Sequence, residues 1–278
     1  MQLLSENVPN GWESEVLCST HPKNTLKKLW LWQRAKWKVS KSTADIIHIH
    51  SASGWSFRRK LSLAKKARSP VIFHIHSGQF DIQCRDMMKS FHVVTLSEGW
   101  AKRLKPLIGD SHVFPNPVDP LIQPSNTRGD FALLLGRPDP VKGHDFAFGL
   151  NLSHLIVTGV HTGPEHVEAL GWVSENKKRE LLSKARVLLV PSQFEGQPLV
   201  ILEALAANCP VIASNTIIDL PDTVVKAEFG NQDSWEHALA NLNTRGLPNS
   251  VAQHHIIHIR RQWGDFYDDI ISNNNSTE

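Results

Sequence analysis

The stretch Pro191-Ser192-Gln193-Phe194-Glu195-Gly196-Gln197-Pro198-Leu199-Val200-Ile201-Leu202-Glu203-Ala204-Leu205-Ala206-Ala207-Asn208-Cys209-Pro210 decides the fold. It lies between two apolar runs, 185–190 and Val211-Ile212-Ala213. Such runs form strands buried on both faces of a parallel sheet, so the order is strand, loop, helix, strand. Pro198 suits the first helical position, where a missing N–H costs nothing, Asn208 accepts a left-handed stop, and Pro210 forbids continuation. The sequence therefore predicts a short helix from Pro198 to Ala207.

Leu199, Val200, Ile201, Leu202, Ala204, Leu205 and Ala206 cover nearly every side of that helix, as in one packed inside a protein. Glu203 is its one ionisable group, and a buried carboxylate is kept either by a protein cation or by a ligand. Helical side chains lean toward the helix N-terminus, which aims Glu203 at the loop Glu195-Gly196-Gln197. Backbone N–H groups of Gly196, Gln197 and Leu199 and the positive end of the helix dipole make a seat for phosphate there, and Gly196 allows close approach. Two carboxylates beside that seat repel a bare anion but grip the hydroxyls of a phosphorylated sugar.

Glu195 and Glu203, separated by seven residues inside "PSQFEGQPLVILEALAANCPVIAS", resemble the paired-glutamate motif of retaining glycosyltransferases of family 4. The resemblance implies the α/β GT-B fold, two Rossmann-like domains with a donor cleft between them. It also implies that Glu195 holds sugar hydroxyls and Glu203 the nucleoside ribose. The competing reading is a buried helix whose glutamate merely pairs with a neighbouring basic residue.

A chain of 278 residues suffices for two domains with cores of their own. With 41% hydrophobic and 21% charged residues its composition is that of a soluble globular protein. No apolar run approaches the ~20 residues needed to span a bilayer, and the N-terminus lacks an export pattern. Cys18, Cys84 and Cys209 show no paired metal-type spacing, which points to the cytoplasm. The net charge of +3 hides a concentration of cations: Lys23, Lys27, Lys28, Arg34, Lys36, Lys38 and Lys41 interleave with Trp30, Trp32 and Trp37, with no acid between Glu15 and Asp45. This segment, 23–41, is a candidate for peripheral contact with an anionic membrane; the alternative is a solvated helix whose tryptophans pack on their own domain. No nucleic-acid-binding module accompanies it, so nucleic acid is excluded as a partner.

In chain order, Glu15-Val16-Leu17-Cys18 reads as a first strand. Family 4 chains begin one strand and one helix earlier, with a glycine-rich loop that helps hold the acceptor, so the N-terminal domain is expected to be cut down. Strands are expected at 44–50 and 70–76 around a helix at 55–68, which gives a right-handed parallel unit. Both His-x-His pairs, His48/His50 and His74/His76, then fall at carboxyl ends of strands, where open α/β sheets place their ligands. Four such histidines could bind zinc, but no cysteine or carboxylate accompanies them at ligand spacing; hydrogen-bonded histidines are the plainer reading. By the resemblance, His76 in "VIFHIHSG" faces the transferred sugar and the acceptor.

Strands at 91–97 and 113–119 flank a helix at 98–107, and the polar stretch from Leu121 to Asp130 marks a boundary. After a strand at 131–135, Gly136-Arg137-Pro138-Asp139-Pro140-Val141-Lys142-Gly143 is a tight turn with two cations suited to a diphosphate. It resembles the family's arginine-and-lysine loop. A strand at 154–159, a helix from Glu175 to Lys184 capped by Ser174, and a terminal helix at 257–271 followed by a disordered tail complete the reading. The expected domains are 1–122 on the acceptor side, 123–254 for the donor, and 255–278 returning to the first.

The function these readings imply is a retaining, metal-independent transferase without a cofactor, moving a sugar from a nucleotide-diphosphate sugar to a glycan or lipid-linked acceptor. Its donor-binding residues are Arg137, Lys142, Gly196, Gln197, Pro198, Leu199 and Glu203, with His76 and Glu195 catalytic. The alternatives are a nucleotide-sugar binding protein without transfer activity and a GT-B sugar-nucleotide epimerase.

Overall fold

The computed structural model describes residues 5–21, 24–76, 80, 82–242 and 251–275. The chain forms two units: Met1–Pro117 with Ile256–Glu278, and Val118–His255.

The first unit holds a parallel sheet of β1 (Ile47–Ser51), β2 (Val71–Ile75), β3 (His92–Thr95) and β4 (His112–Val113), in that order. Its helices are α1 (Thr25–Ser40), α2 (Gly54–Ala64), α3 (Arg85–Met88), α4 (Glu98–Ile108) and the terminal helix, α9 (Ile256–Asn275). From α9, Ile259, Trp263 and Ile270 pack against Ile72, Val94 and Phe114. The strands are short; β2 is buried throughout, β1 and β3 in part, and each pairs in parallel because a helix returns the chain to the same edge.

Four expectations change in this unit. Residues 15–18 form no strand: Val16 is 67% exposed, and Glu15 is instead ion-paired to Lys38 at 2.7 Å. The strand expected at 113–119 shrinks to His112–Val113, since Pro115 and Pro117 have no N–H for a ladder. Helix α2 stops at Ala64, where Lys65 and Lys66 close the last turn onto Leu61 and Leu63 before Ser69-Pro70. The tail expected to be disordered from 272 is helical to Asn275, the helix running on past Ile271, its last apolar residue; 276–278 lie outside the described residues.

The second unit holds β5 (Ala132–Leu134), β6 (Leu155–Val157), β7 (Val167–Ala169), β8 (Val187–Val190), β9 (Val211–Ser214) and β10 (Val225–Ala227), all parallel, in the order β10-β9-β8-β5-β6-β7. Its helices are α5 (His144–Phe148), α6 (Glu175–Lys184), α7 (Leu199–Ala206) and α8 (Gln232–Ala240). From β5 the chain winds outward through β6 and β7, then crosses back to β8 and winds the other way. The β5–β8 junction is thus where the winding reverses, the place where doubly wound sheets open a crevice at their carboxyl ends.

Helix α6 has the expected bounds, with Ser174 Oγ accepting from Lys177 N at 3.2 Å. Helix α7 starts one residue later than expected: Pro198, at φ −71° and ψ 109°, is its N-cap rather than its first helical residue. Asn208 takes the left-handed stop at φ 57°. Ile201, Leu202, Ala204 and Leu205 are buried, whereas Leu199 at the start is 42% exposed, so the helix is covered on all sides except at its mouth. The carboxyl ends of α6 and α7 share one cation. Arg128 donates through Nη1 to the carbonyls of Leu182 and Ser183 (3.1 and 3.0 Å), and through Nη2 to those of Ser125 and Ala207 (both 2.6 Å).

Candidate functional site

The two loops leaving β5 and β8 are built as one piece. Gln193 donates its N–H to the Val141 carbonyl at 2.9 Å. Gly143 sits at φ 71°, and a Cβ there would stand 2.6 Å from Pro191 O, so only glycine lets the loops close up. On the other side of β5, Gly159 (φ 83°) presses on Gly136, whose carbonyl oxygen a Cβ would meet at 2.1 Å. Asp139 caps the 3₁₀ turn Pro140–Lys142 by accepting from Val141 N at 3.1 Å, and its Oδ2 holds Arg137 at 2.9 Å.

This stitching brings Lys142 to Glu195. Their ion pair is largely sheltered, with side chains 25% and 13% exposed, and Glu195 Oε1 also accepts from Ser192 Oγ at 2.8 Å. Arg137 stays 67% exposed beside them on the same loop. Two ion pairs, Lys142 with Glu195 and Arg137 with Asp139, therefore stand at the point where the sheet reverses. The pair needs no long side-chain reach, because adjacent parallel strands place their carboxyl ends side by side.

Glu203 on α7 is 7% exposed and has found a protein cation: Oε1 accepts from Lys178 of α6 at 2.8 Å. Lys178 also pairs with Glu175 at 2.7 Å. Burial works to discharge Lys178, but Glu203 and Glu175 outweigh it and hold its pKa above the usual lysine value. Burial raises the Glu203 carboxyl, and Lys178 offsets this in part. Its second oxygen, Oε2, is buried without a hydrogen-bond partner among the described residues. Nearby on α6, Arg179 Nε donates to Asp119 Oδ2 at 2.7 Å.

In the first unit the four histidines form one ladder on one face of the sheet. Register places His50 beside His74, with His48 and His76 one pleat to either side. His50 Nδ1 lies 2.8 Å from His76 Nε2, His48 Nε2 lies 3.3 Å from His74 Nδ1, and His48 Nδ1 meets Tyr267 Oη at 3.0 Å. The ladder runs under Trp263, whose ring centre is 4.7 Å from that of His48. Burial lowers the pKa of His48 to about 3, helped by repulsion from His76, and that of His76 to about 4, helped by Lys60; burial and repulsion from the other histidines also push His50 and His74 down, so all four are neutral. Ring nitrogens of His48, His50 and His74 lie within 4.8 Å of one another, close enough to enclose an ion, with no cysteine or carboxylate in the group. His74 Nε2 and Trp263 Nε1 are buried without hydrogen-bond partners among the described residues.

The structure thus joins Arg137, Lys142, Glu195 and the loop through Gly196, Gln197 and Pro198 to the start of α7 at Leu199, and places Glu203 further along that helix. His76 belongs to the other unit. Sequence reasoning missed Lys178, Ser192 and Tyr267. The need of Glu203 for a cation, with three consecutive cations at 177–179 on the preceding helix, was the signal that could have found Lys178.

Two parallel-stranded α/β units of this kind make up the GT-B fold, and solved structures agree. The chain is similar to sucrose-phosphate synthase from Thermosynechococcus elongatus (18% identity over 91% of this chain and 81% of that one, TM-score 0.72). It is also similar to a glycosyltransferase involved in avilamycin A biosynthesis (20%, 87% and 78%, 0.62) and to a glycosyltransferase from Rickettsia africae (16%, 94% and 85%, 0.66). Two family models match: Glycosyltransferase Family 4 over residues 6–120, which include His76, and Glycosyl transferases group 1 over 150–243, which include Glu195 and Glu203. The chain thus carries a glycosyltransferase family 4 domain followed by a group 1 glycosyltransferase domain. No curated protein matches it by sequence.

Proposed function

We propose that the protein transfers a sugar from a nucleotide-diphosphate sugar to a glycan or lipid-linked acceptor with retention of anomeric configuration, in the cytoplasm. The observation that carries the reading is the Lys142–Glu195 pair, with Arg137 beside it, at the β5–β8 reversal. In the reaction the bond between the anomeric carbon and the diphosphate breaks, the electron pair leaves with the phosphate oxygen, and the sugar becomes cation-like. Fixed charge aimed at the leaving group lowers that barrier. Arg137, Lys142 and the backbone from Gly196 to Leu199 serve the diphosphate, and these protein cations supply the neutralisation a metal would otherwise give. Glu195, released from Lys142 when phosphate takes the ammonium, holds sugar hydroxyls. The unpartnered Glu203 Oε2 supports a role in accepting a ribose hydroxyl. His76, kept neutral, is available to accept or share a hydroxyl proton at a ring nitrogen.

A thermal-shift panel of GDP-, UDP- and ADP-sugars identifies the donor, and NMR of the product then reads the anomeric configuration. An inverted product sinks the retaining mechanism. Hydrolysis without transfer to any acceptor indicates a binding protein, an epimerised donor indicates an epimerase, and loss of activity to a chelator with rescue by zinc moves the chemistry to the histidine ladder.

A further inference from the structure

Helix α1 (Thr25–Ser40) faces its own unit along one side only. Ala35 and Val39 are buried at 0% and 6%, and Trp32 Nε1 donates to Ser62 Oγ of α2 at 2.9 Å. At 3.6 residues per turn the opposite side carries Leu26, Leu29, Trp30 and Trp37 as one stripe. These are 81%, 50%, 59% and 65% exposed. Lys27, Arg34 and Lys41 run along one edge of the stripe, all exposed, and Lys36 lies along the other. The Arg34 guanidinium stands 5.5 Å from the centre of the Trp30 ring. The helix contains no acidic residue, and the carboxylate that does reach it, Glu15, engages Lys38 on the flank rather than the stripe.

An ordinary solvated helix does not hold two tryptophans and two leucines in water on one side. We propose that this face docks on an anionic lipid surface. The committed occupant follows from complementarity: a stripe of tryptophan and leucine matches the depth just below the headgroups, and cations at its edges with no acid among them match lipid phosphates. The opposing arrangement, with tryptophans folded onto their own domain, holds for Trp32 alone of the three. The surface belongs to the first unit and owes nothing to the donor chemistry of the second, so lipid binding and glycosyl transfer stand or fall separately.

The test is co-sedimentation of the full chain with vesicles of phosphatidylcholine alone and of phosphatidylcholine with phosphatidylglycerol, at low and at high salt. The wild type is compared with Lys27→Gln/Arg34→Gln/Lys41→Gln and with Trp30→Ser/Trp37→Ser, each checked for helix content by circular dichroism. The expected result is binding to the anionic vesicles only, abolished by high salt. The triple variant should bind about a hundredfold more weakly, about fivefold for each charge lost. The tryptophan variant should also dissociate. If either variant loses helix content, quenching of wild-type tryptophan fluorescence by brominated anionic lipid decides instead, and absence of quenching overturns the proposal. Equal sedimentation with both vesicle types, undiminished binding by the variants, or wild-type self-association that the tryptophan variant abolishes would overturn it as well.

Discussion

The two units keep polar groups inside the protein in opposite ways. At the carboxyl ends of β5 and β8 and on α7, the second unit keeps charge and neutralises it locally, with Lys142 on Glu195 and Lys178 on Glu203. Along β1 and at the carboxyl end of β2, the first unit removes charge altogether, holding four imidazoles neutral under Trp263 and Tyr267. A paired charge can be handed to a ligand, since an incoming phosphate or hydroxyl replaces one partner. A neutral ladder cannot be exchanged in that way, but it fixes hydrogen-bond geometry without repelling an anionic substrate. On the proposed function, the difference separates a place suited to recognising charge from one suited to orienting a hydroxyl.

Removing a lysine should break the comparison most sharply. Lys178→Met leaves the Glu203 carboxylate buried and uncompensated, and is expected to cost about 3–5 kcal/mol in urea unfolding. Adding Glu203→Gln should recover most of that loss; no recovery would mean the pair is not what holds the two helices. Next comes Glu195→Gln, which keeps the size of the side chain and removes its charge. Turnover is expected to fall about 10²–10³-fold with an unchanged circular dichroism spectrum, and activity within a few-fold of wild type would remove Glu195 from the mechanism. Arg137→Ala, on an exposed side chain whose loss leaves the fold alone, should weaken donor binding by about 1.5–3 kcal/mol in calorimetry. Unchanged affinity would leave the diphosphate without its arginine.

The first unit is probed by acid. The four histidines have folded pKa values below the ordinary histidine value of about 6.5, so the unfolded chain takes up protons first as the pH drops. Their contribution to stability is fully present above about 6.5 and is lost from there down toward about 3 for His48 and about 4 for His76. The slope is about 1.4 kcal/mol per pH unit for each histidine. Urea unfolding at a series of pH values should show this fall, and His48→Asn should make it shallower. A stability flat between pH 7 and 5 would mean that the ladder is not neutral.

What was legible in the sequence is what local chemistry decides. Ser174 before Glu175 and Ala185 before the next apolar run fix both ends of α6, and Asn208 with Pro210 fixes the end of α7. The periodicity of the His-x-His pairs tells which histidines share a face, but the meeting of His50 with His74 depends on strand register, which nothing in either strand encodes alone. Lys178 was hidden for the same reason: 25 residues separate it from Glu203, and only the packing of α6 against α7 brings them together. The supposed strand at 15–18 shows the reverse error, since two apolar residues in a row are too little to hold a strand against an ion pair between Glu15 and Lys38. Pro115 and Pro117 were visible signs of a broken ladder and outweighed the valines beside them.

Arg128 ties α6 and α7 together. One guanidinium satisfies the terminal carbonyls of both α6 and α7, Nη1 those of the first and Nη2 that of the second. Losing Arg128 would therefore leave carbonyls unsatisfied at both helix ends at once. The helix that carries Lys178 and the helix that carries Glu203 are anchored by one side chain, and a single substitution there would loosen both.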